Sequence, residues 1–108
     1  MFQVLRPKVK RYDNLFQHKL SRIIEDVTGI DPLNASIAKG RRVAIPRQLF
    51  MTLMVRHTTM IFEVVGAMVG RDHSTVTHAI KTVNNLYDTD PVFRKMYDKI
   101  NEKAKNLK

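Results

Sequence analysis

Cysteine and tryptophan are both missing from this 108-residue chain, and acidic residues are scarce. The absence of cysteine excludes disulfide bonds and thiolate metal sites, and it suits a reducing compartment. Long apolar runs are missing too. The opening segment MFQVLRPKVKRY lacks the apolar stretch of a secretory signal, and no later segment has the length of a membrane span. We therefore expect a cytoplasmic protein without a membrane partner.

The charge balance is strongly basic: 19 lysines and arginines stand against 10 aspartates and glutamates, and the formal net charge is +9. Lysine and arginine neutralise phosphates and release counterions, so this composition favours a polyanionic partner, with nucleic acid first. An apolar content of 44% is enough for one domain with its own hydrophobic core.

Apolar residues recur at steps of three and four along most of the chain. This spacing predicts an all-α fold, a small helical bundle of about five principal helices. Residues 1–12 are basic, contain Pro7 and lack the periodicity, so we predict a mobile basic arm there and a folded domain over 13–108. Helices are expected at about 14–28, 43–56, 60–68, 73–87 and 91–100.

The segment 60–85, MIFEVVGAMVGRDHSTVTHAIKTVNN, has the pattern of an embedded helix-turn-helix. Gly70 suits the chain reversal, and Asp72 or Ser74 can accept hydrogen bonds from the free N–H groups that open the second helix. Thr58 or Thr59 is expected to cap the first. One side of the second helix is apolar, with Val76, Ala79, Ile80, Val83, Leu86 and Tyr87. The other side is polar, with His73, Ser74, Thr77, His78, Lys81, Thr82 and Asn85.

The polar side of this helix indicates binding rather than catalysis. Its hydroxyl, imidazole, amide and ammonium groups can contact phosphates and base edges, but none is a strong nucleophile without a base beside it. His73 and His78 diverge by about 140° on a helix, unlike a zinc pair at i, i+4, and Asp72 has no second acid within the motif. We therefore predict no enzyme activity, no metal site and no cofactor.

A predicted loop over 34–42 becomes basic at Lys39, Arg41 and Arg42. A flexible basic loop beside a reading helix can place arginine in the minor groove of DNA, where the potential is most negative. Considered alone, such a charge run is more often a solvated surface. After it, Pro46 is expected in the first turn of the next helix, where its missing N–H has no intrahelical partner.

Two strings of the sequence carry a family resemblance. GRDHSTVTHA, residues 70–79, resembles the signature of the C-terminal DNA-binding domain of DnaA, the bacterial replication initiator. RVAIPRQLFMTL, residues 42–53, is similar to that family's basic loop and following helix, in which an Arg-Gln pair precedes Met-x-Leu. The resemblance covers about residues 14–107. It implies a domain that binds double-stranded DNA.

The resemblance also implies roles for individual residues. Asp72, His73 and Ser74 would face bases in the major groove, Lys39, Arg41 or Arg42 would enter the minor groove, and Arg47 and Arg71 would lie near phosphates. The chemistry agrees, because Asp72 can accept from cytosine N4, His73 can donate to a purine, and Ser74 or Thr75 can bond either way. The predicted phosphate contacts are Arg47, Arg71, Thr77, His78 and Lys81.

Two of these residues have an ordinary alternative. One alternative is that Asp72 caps the helix and makes no base contact. Capping and base contact use different lone pairs, so the two roles are compatible. Arg47 can instead pair with a carboxylate of the protein, for which the candidates are Glu25, Asp26 and Glu63.

We therefore predict a monomeric, sequence-preferring double-stranded DNA-binding domain of the nucleoid that acts in replication initiation or its regulation, with replication proteins as candidate partners. The chain has no phosphate loop of the form G-x-x-x-x-G-K-S/T, so we expect a fragment or a relative without the ATPase module. The alternatives are a protein-interaction adaptor or a transcription regulator of the same fold. RNA binding ranks third, because the exposed helix face has no aromatic platform for unpaired bases.

Overall fold

The computed structural model describes the backbone of residues 5–33 and 41–107, and the side chains of 15–33 and 43–107. Within these ranges the chain forms five α-helices and no strand: α1 (Leu5–Thr28), α2 (Arg41–His57), α3 (Phe62–Met68), α4 (His73–Thr89) and α5 (Pro91–Lys105). The predicted all-α bundle is confirmed. No helix in the described part of the chain is long and apolar enough to cross a membrane.

The start of α1 differs from the sequence-based expectation. The helix begins at Leu5 and not near Asn14, so residues 5–12 of the predicted arm have helical backbone. The reason is visible in the sequence, since Leu5, Val9 and Tyr12 continue the apolar spacing of Phe16 toward the N-terminus between basic residues. Residues 1–4 lie outside the described residues. The mobility of the arm and the domain boundary after it stay predictions.

A single hydrophobic core joins all five helices. The central helix is α2, which contacts each of the other four. Each fully buried aliphatic or aromatic side chain contributes about 1.5–3 kcal/mol relative to leaving it in water. The buried apolar side chains described are Phe16, Leu20, Ile24, Leu49, Phe50, Met51, Leu53, Met54, Val65, Val69, Val76, Ala79, Val83, Phe93, Tyr97, Ile100 and Ala104.

A polar connection fixes α4 against its neighbours. Arg56, near the end of α2, donates hydrogen bonds to the hydroxyl of Tyr97 on α5 and to the side-chain oxygen of Asn84 on α4. Arg94 of α5 donates to the backbone carbonyl of Tyr87 at 2.9 Å. These contacts connect α4 to α2 and α5 and hold the helix in place.

One buried hydroxyl supports a stability prediction. The Thr52 side chain is fully buried in α2, and its Oγ1 has no hydrogen-bond partner in the described part of the protein. An unpaired buried hydroxyl costs about 1–3 kcal/mol, so Thr52→Val, which keeps the shape, should raise the free energy of unfolding by about 1 kcal/mol or more. Urea denaturation measures this change.

The matched control for Thr52 is Thr28. Its Oγ1 donates to the carbonyl of Ile24 at 2.7 Å and accepts from the N–H of Ile30 at 3.2 Å. Thr28→Val removes the same atoms but breaks these bonds, so it should lower stability. Equal effects of the two substitutions would contradict the assignment of Thr52 as an unpaired group.

Candidate nucleic-acid interface

Helices α3 and α4 and the turn between them form a tight helix-turn-helix. Gly70 has a φ of 71°, a left-handed conformation that favours glycine, and it reverses the chain after α3. The N–H of Arg71 then donates back to the carbonyl of Gly66 at 2.8 Å. A Cβ on Gly66 would lie only 2.7 Å from the carbonyl oxygen of Arg71 and 2.8 Å from that of Asp72. Glycine at 66 therefore permits the close approach of α3 to the turn.

The start of α3 corrects one prediction. Ile61 is the N-cap residue and provides no side-chain cap. Thr58, one of the two residues expected to cap this helix, instead donates to the carbonyl of Met54 at 2.6 Å and accepts from the N–H of Met60 at 3.2 Å. Its hydroxyl therefore stabilises the end of α2 and the connection that follows.

Asp72 is the N-cap of α4. Its Oδ1 accepts three hydrogen bonds: from the N–H of Thr75 at 3.0 Å, from Oγ of Ser74 at 2.8 Å and from Oγ1 of Thr75 at 3.0 Å. Of the two predicted caps, Asp72 fills the role, and Ser74 supports it. No described residue donates to the second carboxylate oxygen, Oδ2. The residue is fully exposed, so this oxygen faces solvent at the tip of α4.

The hydrogen bonds also fix the charge of Asp72. The N–H of Thr75, followed by the hydroxyls of Ser74 and Thr75, lowers the pKa of the Asp72 carboxyl below its ordinary value of 3.8. The group is therefore ionised at neutral pH, and an ionised carboxylate only accepts hydrogen bonds.

The remaining polar residues of α4 lie on its outer side. Lys81 follows Ser74 by two turns of helix, about 10 Å along the axis. Thr77 Oγ1 donates to the carbonyl of His73 at 3.2 Å, which leaves its lone pairs outward. Thr75 and Thr82 are half-buried. The other residues predicted on the polar side are exposed, namely His73, Ser74, Thr77, His78, Lys81 and Asn85, and so are Asn84, Asp88 and Thr89. The predicted division of this helix into a buried and an exposed side is confirmed.

A second basic feature lies beside the turn. Arg47 of α2 and Arg71 of the turn are half-buried, and they are close enough to interact electrostatically. Burial first, and then the positive charge of Arg71, lowers the pKa of the Arg47 guanidinium.

The predicted minor-groove residues are only partly within the described chain. Lys39 lies outside the described residues. Arg41 and Arg42 belong to the first turn of α2, so the predicted loop over 34–42 was wrong at its end. The error arose because Pro46 was expected in the first turn of the helix. It lies instead inside α2, more than one turn after the helix begins. Proline there lacks the N–H that would bond the carbonyl of Arg42, but the helix still extends beyond it toward the N-terminus.

Comparison with known proteins gives a consistent match. Residues 19–83 match the family described as bacterial dnaA protein helix-turn-helix. The chromosomal replication initiator protein DnaA of Flavobacterium psychrophilum is 38% identical over 86 residues, which are 78% of this chain and 18% of that protein. That of Acinetobacter baylyi is 40% identical over 81 residues, or 72% of this chain and 17% of that protein.

The initiator of Laribacter hongkongensis is 36% identical over 69 residues, 63% of this chain and 14% of that protein. The chain thus spans less than a fifth of the length of these relatives. No solved structure matches it.

Proposed function

The chain belongs to the bacterial DnaA helix-turn-helix family, and on that premise we propose that it binds double-stranded DNA with a preference for certain base sequences. Family membership supports DNA binding in replication initiation. The helix-turn-helix module of α3 and α4 fits a binding protein and not an enzyme. In this proposal α4 enters the major groove by its N-terminal end, as the second helix of such a pair does.

The observation that carries the proposal is that the two carboxylate oxygens of Asp72 have different surroundings. Its Oδ1 is occupied by the cap, whereas Oδ2 is exposed and ionised at the tip of α4. An acceptor at this point suits an exocyclic amine such as cytosine N4. In this proposal the imidazole of His73 and the hydroxyl lone pairs of Ser74 and Thr75 supply the other base contacts.

Phosphate contacts hold the tip in register. Arg47 of α2 and Arg71 of the turn are half-buried cations, and guanidinium groups suit phosphate oxygens. Along the exposed side of α4, Thr77, His78 and Lys81 are placed to contact the backbone at the groove edge. These contacts give affinity without base discrimination.

For the minor groove we propose Lys39, Arg41 and Arg42, on the basis of sequence and family resemblance. Arg41 and Arg42 are the first two residues of α2, and they lie less than two turns before Arg47 on the same helix. Basic residues at this end are suited to the narrow, electronegative groove next to the phosphates that Arg47 contacts.

The relatives are named as chromosomal replication initiators, and we propose that this chain acts in replication initiation or its control, as a monomer on nucleoid DNA in the cytoplasm. A selection of bound sequences from a random duplex pool tests this role. Recovery of sites that the relatives also bind would support it, whereas an unrelated preferred sequence would favour a transcription regulator.

Binding itself is tested by a duplex titration against salt. Six or more phosphate contacts should reduce affinity roughly a thousandfold between 50 and 200 mM salt. Retention of the sequence preference at the higher salt is expected, because base contacts do not depend on counterion release. A protein that binds no duplex but captures an acidic protein would be an adaptor, and the proposal would be wrong.

Removal of single cations should lower the sequence-independent affinity for DNA without changing the base preference. Arg71→Ala and Lys81→Ala should each weaken binding to all duplexes alike and make the slope of log affinity against log salt shallower by about 0.9. The matched control is Lys19→Ala, the loss of one exposed charge on α1, which should leave the slope unchanged. An altered base preference with an unchanged slope would contradict the phosphate assignment.

A further inference from the structure

Helix α5 carries a row of three lysines that the DNA-binding proposal does not use. Lys95, Lys99 and Lys103 are exposed and follow one another at intervals of four residues, so they line one side of the helix. We call them the α5 lysine row. Their side of the helix points away from the core, which α5 contacts through Phe93, Tyr97, Ile100 and Ala104.

The lysine row concentrates positive charge along one side of α5. Like charges four residues apart repel, and among the described residues none of the three lysines has a hydrogen bond or an ion pair. Asp98 and Glu102 follow Lys95 and Lys99 by three residues, but among the described residues neither acid forms an ion pair with a lysine of the row. Asp98 is also occupied, since its Oδ1 accepts from the hydroxyl of Tyr87 at 2.9 Å.

The lysine row is separate from the exposed side of α4. Helix α5 packs against α4 through Tyr87, which contacts both Asp98 and Arg94. On an α-helix Tyr87 lies about 120° around the axis from Lys81, which belongs to the outer side. Since α5 covers the Tyr87 side and its lysines point away from the core, the row forms a second cationic surface beside the first.

We propose that the α5 lysine row binds the phosphate backbone of a second duplex segment, without sequence preference, while α4 holds the first. This inference rests on the proposed function, because it takes duplex DNA as the partner. Lysine is a point charge that suits phosphates, whereas it is depleted at protein–protein interfaces. The exposed apolar neighbour is Val92, not an aromatic residue, so the surface offers no stacking platform for unpaired bases.

Capture of a second duplex tests the inference. A duplex with the preferred site is immobilised and saturated with protein, unbound protein is washed away, and a labelled duplex without the site is added. The wild type should capture the labelled duplex. Three phosphate contacts give a slope of about −2.7, so the affinity for the labelled duplex, measured per protein retained on the immobilised site, should fall about 40-fold between 50 and 200 mM salt.

Two variants with the same loss of net charge separate the row from general basicity. The row variant carries Lys95→Gln, Lys99→Gln and Lys103→Gln. The control carries Lys19→Gln, Arg22→Gln and Lys105→Gln, which are exposed residues outside the row and the proposed interface. The row variant should keep its affinity for the immobilised site and lose capture at least tenfold, while the control keeps both. The row variant should remain folded, because glutamine is a good helix former and the three positions are exposed, and a melting curve checks this.

The possible failures are distinguishable. If the wild type occupies the immobilised site but captures no second duplex, or if both variants lose capture equally, the α5 inference is wrong and the proposed function stands. If the immobilised duplex retains no protein, the proposed function itself fails.

Discussion

Gly66→Ala is expected to lower the free energy of unfolding by about 1–3 kcal/mol and to weaken duplex binding in the same protein. The added Cβ would lie 2.7 Å and 2.8 Å from the carbonyl oxygens of Arg71 and Asp72. These are backbone atoms of the turn, so they cannot rotate away as the end of a flexible side chain would. Either α3 or the turn has to move.

The movement should affect binding because the same residues start α4. The carbonyl of Asp72 accepts from the N–H of Val76, and the Asp72 side chain caps the helix. A shift of the turn therefore re-aims the tip of α4 and separates Arg71 from Arg47. We expect loss of both base preference and phosphate affinity, measured on folded protein well below its melting temperature.

The control for this substitution is Gly29→Ala at the end of α1. Gly29 has a φ of 83°, and apart from its chain neighbours no described residue has an atom within 4 Å of the position that an added methyl group would take, so the expected cost there is conformational. It should be about 1–2 kcal/mol, with duplex binding unchanged in the folded protein. A Gly66→Ala protein as stable as the wild type, with unaltered binding, would show that the close approach is not required.

Local signals in the sequence were sufficient for much of this molecule. The two sides of α4 follow from apolar spacing within one helix, and the Asp72 cap follows from contacts three residues apart. The cap of α5 is equally local, with Asp90 accepting from the N–H groups of Val92 and Phe93. Such features depend on neighbouring residues, so pattern reasoning finds them.

Features that depend on distant residues were missed. Gly66 lies within the predicted first helix of the pair, and only the packing of α3 against the turn reveals its role. The electrostatic effect of Arg71 on Arg47 involves two separate parts of the chain, and the two residues were predicted only as separate phosphate contacts. The lysine row of α5 was not identified from the sequence, because its exposure became clear only once the buried side of that helix was known.

Asp72→Asn should keep the fold and lose base discrimination. Asparagine is as good an N-cap as aspartate, so its side-chain oxygen can replace Oδ1 and stability should change little. The amide nitrogen then takes the place of Oδ2, and a donor faces the base amine that the carboxylate accepted from. We expect preference for the selected site over a variant with one changed base pair to fall roughly tenfold or more.

Comparison with Asp72→Ala separates the two roles of the residue. Alanine removes the cap as well as the acceptor, so this protein should melt at a lower temperature in addition to losing discrimination. If Asp72→Ala melts earlier but keeps its full sequence preference, Asp72 is a cap alone and the base contact belongs to another residue.

The pH dependence identifies the group that discriminates. Because the hydrogen bonds from Thr75 and Ser74 lower the pKa of Asp72 below 3.8, its carboxylate stays ionised from pH 7 down to pH 5. Its contribution to folding is therefore present above pH 3.8 and is lost only as the pH falls through the lower pKa of the folded state. Sequence preference should accordingly be constant between pH 7 and pH 5 in the wild type and weak throughout in Asp72→Asn. A preference that changes steeply within that range would instead assign the discrimination to a histidine, since histidine is the side chain that ordinarily changes charge there.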